Sequence, residues 1–425
     1  MSRVRRCAPT LAAALLTTLV ACGGGGAGSS SKPAPPPPLP TGSNVAPLTV
    51  DAGPAQNVLN IPSVSVTLCV PGTTTCQTID HILVDTGSAG LRVIGTALAP
   101  ALSSLPLATT ASGDPMYECL QFADGYSWGS VRRADVQVAD GRAASLALQV
   151  IIDSSTLPAA PTDCTNPKPP APPPSPQDTV AAFGANGVIG VSVFLQDCGP
   201  ACVTIAKPDN QGFYYGCPAT GCVNTTVSLA AQVQNPVSKF ATNNNGVIVF
   251  LPPITAVGKP TVAGALVLGI DTQSNNQLGS ATVLSADPLS GSFTTIYNGH
   301  TYTRSAFIDS GSNGSFFANA SLPACTANPG WYCPPTAVTL SAINQGVGAS
   351  SATSTVTFSV ASLDALSNAN PGFAAYDNIA GPLPTPLVGF DWGLPFFFGR
   401  SVAVAFETKT TAAGAGPFFA YADFL

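Results

Sequence analysis

At 425 residues the chain is longer than an average domain, so two lobes or domains are expected. Only 8% of it is charged, against about 25% in an ordinary soluble domain, and a net charge of -6 without a basic run excludes a nucleic-acid partner. Gly 41 and Pro 41 make about a fifth of the residues, and Glu118 and Glu407 are the only glutamates among 21 acids, so a mostly helical fold is excluded.

The N-terminus reads as an export segment. Arg3, Arg5 and Arg6 precede the apolar stretch 11–20, which is too short to span a bilayer, and Leu19-Val20-Ala21-Cys22 closes it. This ending resembles the lipobox of bacterial lipoproteins. The resemblance implies a signal peptide over 1–21, lipidation of Cys22 with palmitate among the chains, and a membrane partner held through that lipid. Gly23, in place of Asp after the cysteine, implies the outer membrane of a bacterial cell envelope. Residues 22–44 are Gly/Ser/Pro-rich and read as a tether. The run 23–26 follows no strand and precedes no Lys-Ser/Thr, so it is not a phosphate loop.

From residue 45 onward, short Val/Thr/Ile/Phe-rich runs alternate with Gly, Pro and Asn turns, which predicts an all-β architecture. The expected division is an N-terminal β lobe over 45–255 and a C-terminal β lobe over 256–425. A Pro-rich insertion, 161–176, is expected as an exposed loop in the first. The ten cysteines beyond Cys7 and Cys22 are an even number in an exported chain, so disulfides are the default. Near neighbours suggest Cys69 with Cys76, Cys198 with Cys202, Cys217 with Cys222 and Cys325 with Cys333, leaving Cys119 for Cys164. Cross-pairing among Cys198, Cys202, Cys217 and Cys222, or zinc ligation by the four, stays open.

One motif occurs twice. His81-Ile82-Leu83-Val84-Asp85-Thr86-Gly87-Ser88 is a short apolar strand running into Asp-Thr-Gly-Ser, and Ala306-Phe307-Ile308-Asp309-Ser310-Gly311-Ser312 repeats it 224 residues later. Chance supplies roughly a third of an Asp-Ser/Thr-Gly match per chain of this composition, so a single copy carries little weight. Two copies, each behind a strand, before a Ser and in its own half, carry much more. The pairing has a chemical reason. Adjacent carboxylates cannot both ionise, so they share a proton. One then acts as general base on a water while the other donates to a carbonyl. Asp85 and Asp309 are the catalytic candidates, supported by Thr86, Gly87, Ser88, Ser310, Gly311 and Ser312. Such a dyad needs no cofactor and no metal. Only His81 and His300 are present, and a triad of Ser88, His81 and Asp85 fails because three residues so close on one strand cannot converge.

On these motifs the chain resembles the pepsin-like aspartic proteases, in the form of an uncharacterised proteobacterial lipoprotein family that carries the same two Asp motifs. The resemblance extends over most of residues 45–425. Asp85 to Val93 matches the first active-site loop apart from Arg92. Gln121-Phe122-Ala123-Asp124-Gly125-Tyr126-Ser127-Trp128-Gly129 sits where the family's flap hairpin lies. Asn186-Gly187-Val188-Ile189-Gly190 matches the apolar-apolar-Gly of the first psi-shaped loop, and Gly264 to Asp271 the opening of the second lobe. The second apolar-apolar-Gly ends at Gly389 or Gly393, the phenylalanines after it favouring Gly393. The implied fold is two β-rich lobes flanking a central cleft, with a peptide or protein substrate in the cleft and a monomeric chain. Phe122, Gly125, Tyr126, Trp128 and Arg92 are then flap or substrate-binding residues. The family places Trp at Arg92 and Tyr at Phe122, hydrogen-bonded to each other. The double change implies a loosely held flap, with Tyr126 or Trp128 taking up part of the missing contact.

Two functional readings remain. One is a membrane-anchored aspartic endopeptidase; the other is a weakly catalytic or non-catalytic binding or inhibitor lipoprotein on the same scaffold. A third is an envelope-assembly or adhesion lipoprotein with a vestigial cleft.

Overall fold

The computed structural model describes residues 38–123, 125–152, 157–165, 175–206, 213–348, 352–383 and 388–424. The export segment, Cys22 and the tether up to residue 37 lie outside these residues, as does the centre of the Pro-rich insertion, 166–174. No helix among the described residues is long and apolar enough to cross a membrane.

The chain is all-β in both halves. The strand ending in the first aspartate, Cys76–Asp85, and the strand leaving it, Ala89–Ile94, do not pair with each other. A third strand, Gly187–Val191, lies between them, parallel to the first with Val84 opposite Ile189 and Asp85 opposite Gly190, and antiparallel to the second. The second half repeats the device. His300–Ile308 leads to Asp309, Ser315–Phe316 leaves it, and Phe390–Trp392 lies between, parallel to the incoming strand and antiparallel to the outgoing one. The register sets Ile308 opposite Trp392, so Gly393 follows as Gly190 does in the first half. Both glycines are required by close approach. A methyl on Gly190 would stand 2.6 Å from the Ser88 carbonyl oxygen, and one on Gly393 would stand 2.7 Å from that of Ser312. This settles the second apolar-apolar-Gly on Gly393.

Strands rich in Val, Ile, Leu and Ala make the shared part of the fold, most of them heavily buried, though Val45–Asp51 alternates buried and exposed residues. Val45–Asp51 pairs with Val262–Leu268, which continues through Gly246–Leu251, Arg400–Ala405, Phe418–Asp423 and Thr282–Ser285. The sequence-based boundary at 255/256 falls in the connection between two antiparallel strands of this sheet. A single apolar core reaches through it, from Val66, Leu91 and Val150 to Leu266, Phe293, Trp392 and Val404. The fold is thus the all-β, pseudo-symmetric arrangement expected of a pepsin-like aspartic protease, with one Asp strand from each half.

Among the described residues five disulfides staple the loops: Cys69–Cys76, Cys119–Cys164, Cys198–Cys202, Cys217–Cys222 and Cys325–Cys333. The second of these joins the Pro-rich insertion to the hairpin. Cys164 is buried and bonded to Cys119 on the flap strand Met116–Gln121, and Ser175–Pro176 pairs in parallel with Gly125–Tyr126. The insertion is tied to the hairpin at both of its described ends.

Candidate active site

The two Asp turns are bonded to each other crosswise. The Thr86 hydroxyl donates to the Ile308 carbonyl (2.9 Å) and accepts from the Ser310 N–H (2.9 Å). The Ser310 hydroxyl donates to the Val84 carbonyl (2.6 Å) and accepts from the Thr86 N–H (3.2 Å). All four bonds are buried, where a hydrogen bond is strong and an unmade one costly. They fix the relative position of the two turns, which explains a hydroxyl residue directly after each aspartate.

The glycines then let the carboxyls meet. A methyl on Gly87 would come 2.6 Å from the Asp309 carboxyl carbon, and one on Gly311 would come 2.8 Å from that of Asp85. Each glycine therefore packs on the opposite acid, and the two carboxyls are within hydrogen-bonding reach of each other. Asp85 accepts from the N–H of Gly87 (2.7 Å), the N–H of Ser88 (3.1 Å) and the Ser88 hydroxyl. Asp309 accepts from the Gly311 N–H (2.7 Å) and the Ser312 hydroxyl (3.0 Å). Burial holds the Asp309 carboxyl well above the usual carboxylate range, and the neighbouring Asp85 and Asp391 push it further the same way. Asp309 is thus biased toward its protonated form.

The cleft over the dyad encloses about 320 Å³. Its first-half wall includes Leu83, Val188, Phe122 and Phe183, and its second-half wall includes Phe307, Phe316 and Asp391. Phe122 packs edge-on against Phe183, centroids 5.8 Å apart. Gly125 closes the hairpin onto its neighbour: a methyl there would stand 2.5 Å from the Ser175 carbonyl oxygen.

The other flap candidates lie elsewhere. Tyr126 and Trp128 line a separate pocket with Leu157, Pro158 and Pro176, and the Trp128 indole N–H donates to the Pro158 carbonyl (2.7 Å). Trp128 packs there with Tyr117, Tyr215 and the Cys119–Cys164 bridge. They do not stand in for a contact over the cleft. Arg92 is fully buried and holds the flap strand from below. Its guanidinium binds Glu118 on that strand, Asp197 at 3.1 Å and the Ala89 carbonyl at 2.9 Å. Tyr214 donates to Asp197 (2.7 Å) and accepts from the Val233 N–H (2.7 Å). Burial, and after it the adjacent Glu118, raise the Asp197 carboxyl well above its usual range, while Arg92 and the Tyr214 hydrogen bond oppose the shift. In place of the family's Trp–Tyr hydrogen bond, the base of the hairpin carries an ion-pair network and a disulfide. His81 bonds to Asp51 at 3.3 Å, on a residue with φ 49°.

Asp391 is a cleft residue that sequence reasoning missed. It is a single acid in the apolar run Phe390-Asp391-Trp392-Gly393-Leu394, at a position where the first half has Val188. That interruption was the available signal. Among the described residues the only acid and cysteine group close enough for a metal is Cys325, Cys333 and Asp364, and its cysteines form a disulfide. The three acids of the cleft do not converge to metal-ligand distances.

The family described as "Protein of unknown function (DUF3443)" matches residues 40–421. The chain belongs to that family. No curated protein matches it in sequence. Among solved structures, the aspartic proteinase from Irpex lacteus is similar over 89% of this chain and 97% of its own, at 15% identity and a TM-score of 0.48.

Proposed function

We propose that this member of the family is an aspartic-type endopeptidase that hydrolyses peptide bonds through Asp85 and Asp309. The observation that carries the reading is the crosswise bonding of Thr86 and Ser310, which brings the two carboxyls together over the floor of a cleft. In this reading a water sits between the carboxyls. Asp85, oriented by three hydrogen bonds, takes a proton from the water as the oxygen attacks the scissile carbonyl carbon. Asp309 donates its proton to the carbonyl oxygen, giving a neutral gem-diol. Collapse of that intermediate breaks the C–N bond, with a proton passing to the leaving nitrogen and the dyad returning to its starting state. Phe122 and Phe183 cover the site and exclude bulk water.

One observation favours the second reading, a binding or inhibitor protein. The hairpin beside the cleft is held by a disulfide, an ion-pair network and a paired strand, so entry of a long substrate demands movement from a fixed element. A single experiment separates the two. Full-length protein is incubated with denatured protein across pH, beside Asp85→Asn and Asp309→Asn. The peptidase reading expects cleavage that falls by about 10²–10⁴-fold in either variant, with both still folded. Tight peptide binding without cleavage supports the binder instead.

A further inference from the structure

The symmetry that pairs the two aspartates also pairs the walls of the cleft, and it fails at one position. In the first half Leu83 stands opposite Val188, both lining the cleft. In the second half the matching residues are Phe307 and Asp391. An acid therefore occupies a place that the fold itself shows can be apolar.

Asp391 is 4% exposed, and its Oδ1 has no hydrogen-bond partner. The Ser312 hydroxyl lies near its carboxyl, but the hydrogen of that hydroxyl goes to Asp309. Among the described residues, no Lys, Arg or His lines the cleft. Three acids, Asp85, Asp309 and Asp391, thus face one cavity without a counter-charge. An unpaired buried polar oxygen is costly unless a ligand completes it. The acids do not close to metal-ligand distances, which leaves an organic cation as the chemistry that fits. Half-buried Phe307, Phe316 and Leu383 supply an apolar surface beside Asp391 of the kind that receives the methylene stem of a long cationic side chain.

We propose that Asp391 is a specificity-determining residue, taking the ammonium or guanidinium of a Lys or Arg side chain next to the scissile bond. This rests on the peptidase reading of the dyad. The cation donates to Oδ1 and supplies the missing positive charge, and the carboxyl releases its proton as the cation binds. A norleucine side chain of the same length fills the space but leaves Oδ1 unpaired. A site that hydrogen-bonds a substrate N–H discriminates strongly against the analogue lacking it.

The test is equilibrium binding, so it does not depend on turnover. Four peptides carry a non-cleavable hydroxyethylene group in place of the scissile amide. They form two pairs, with Lys or norleucine on one side of that group or on the other. Each is titrated into full-length wild type, Asp391→Asn and Asp391→Val, with the folded state of the variants checked by circular dichroism. In one pair, wild type is expected to bind Lys about tenfold or more tighter than norleucine. The preference should collapse in Asp391→Asn and reverse in Asp391→Val, which installs the residue of the matching position. Peptides that bind without a Lys preference in either pair overturn this inference and leave the dyad reading standing. So does a Lys preference that survives Asp391→Val. If none of the four binds wild type, the peptidase reading fails and this inference falls with it.

Discussion

The two aspartate turns are built alike below the carboxyls and differently above them. Below, each contributes a hydroxyl to the same four-bond network, and each glycine rests on the other's acid. Above, the Asp85 side carries a hairpin fixed by Arg92, by Cys119–Cys164 and by the Gly125–Ser175 pairing. The Asp309 side carries instead an acid, Asp391, in its wall. The shared part is what two-carboxyl chemistry demands; the divergent parts decide what may enter and how. A change to the carboxyls themselves should therefore act on catalysis, while changes to the upper layer should act on stability, flap motion or selectivity.

The largest expected effect on stability is at Arg92. Replacing it with Leu leaves Glu118 and Asp197 buried without a cation. Breaking a buried pair in this way costs about 3–5 kcal/mol. Denaturant unfolding of Arg92→Leu is the check, and a cost below about 1 kcal/mol, the value of an exposed pair, would show that the network does not anchor the hairpin. Arg92→Trp, which restores the residue of the resembling family, should destabilise as well, because the indole brings no charge to the two acids.

The bridge between hairpin and insertion comes next. Cys119→Ser with Cys164→Ser opens a loop whose ends are 45 residues apart, a loss of about 2–4 kcal/mol in global stability. Its sharper signature is local. Hydrogen exchange of residues 116–121 should quicken by more than that of Gly187–Val191, which lies under the dyad. If both segments speed up equally, the bridge stabilises the whole fold and is no specific restraint on the flap.

Much of the lower layer was legible from sequence, and little of the upper. Asp85 and Asp309 were found because tandem-related strand-turn units must repeat their residues, and repetition is visible without coordinates. Gly393 was favoured over Gly389 only by the phenylalanines that follow it. Arg92 was not legible, because its partners come from distant segments: Glu118 lies on another strand and Asp197 more than a hundred residues away. A substitution read as the loss of one bond proved to be its exchange for a buried ion pair. Tyr126 and Trp128 were taken as flap or substrate-binding residues from the family resemblance of 121–129, but the residue alternation of the strand and the insertion packed on it place them in a second pocket. Asp391 announced itself only as an acid in an apolar run, a departure that gains meaning once the register sets it opposite Phe307.

The smallest expected effect concerns pH, and it isolates Asp391 from its symmetry mate. Burial raises the Asp391 carboxyl well above its ordinary value; the nearby Ser312 hydroxyl opposes the shift and the charge of Asp85 adds to it. A carboxyl raised in the folded state keeps its proton there while the unfolded chain loses it from about pH 4 upward. The folded state then binds more protons than the unfolded one, so stability falls with rising pH through that window. The contribution is whole below the ordinary carboxylate pKa and is lost on the way to the raised one. Asp391→Asn removes the titration without changing shape. Its melting temperature should exceed that of wild type by about 2–4 °C at pH 7, the change expected from about 1 kcal/mol, and should converge on it near pH 4. Val188→Asn, at the matching position, should show a difference from wild type that does not vary across the same range. Should the Asp391→Asn difference prove independent of pH, or widen on acidification, Asp391 would not be the neutral, unpaired acid that its surroundings describe.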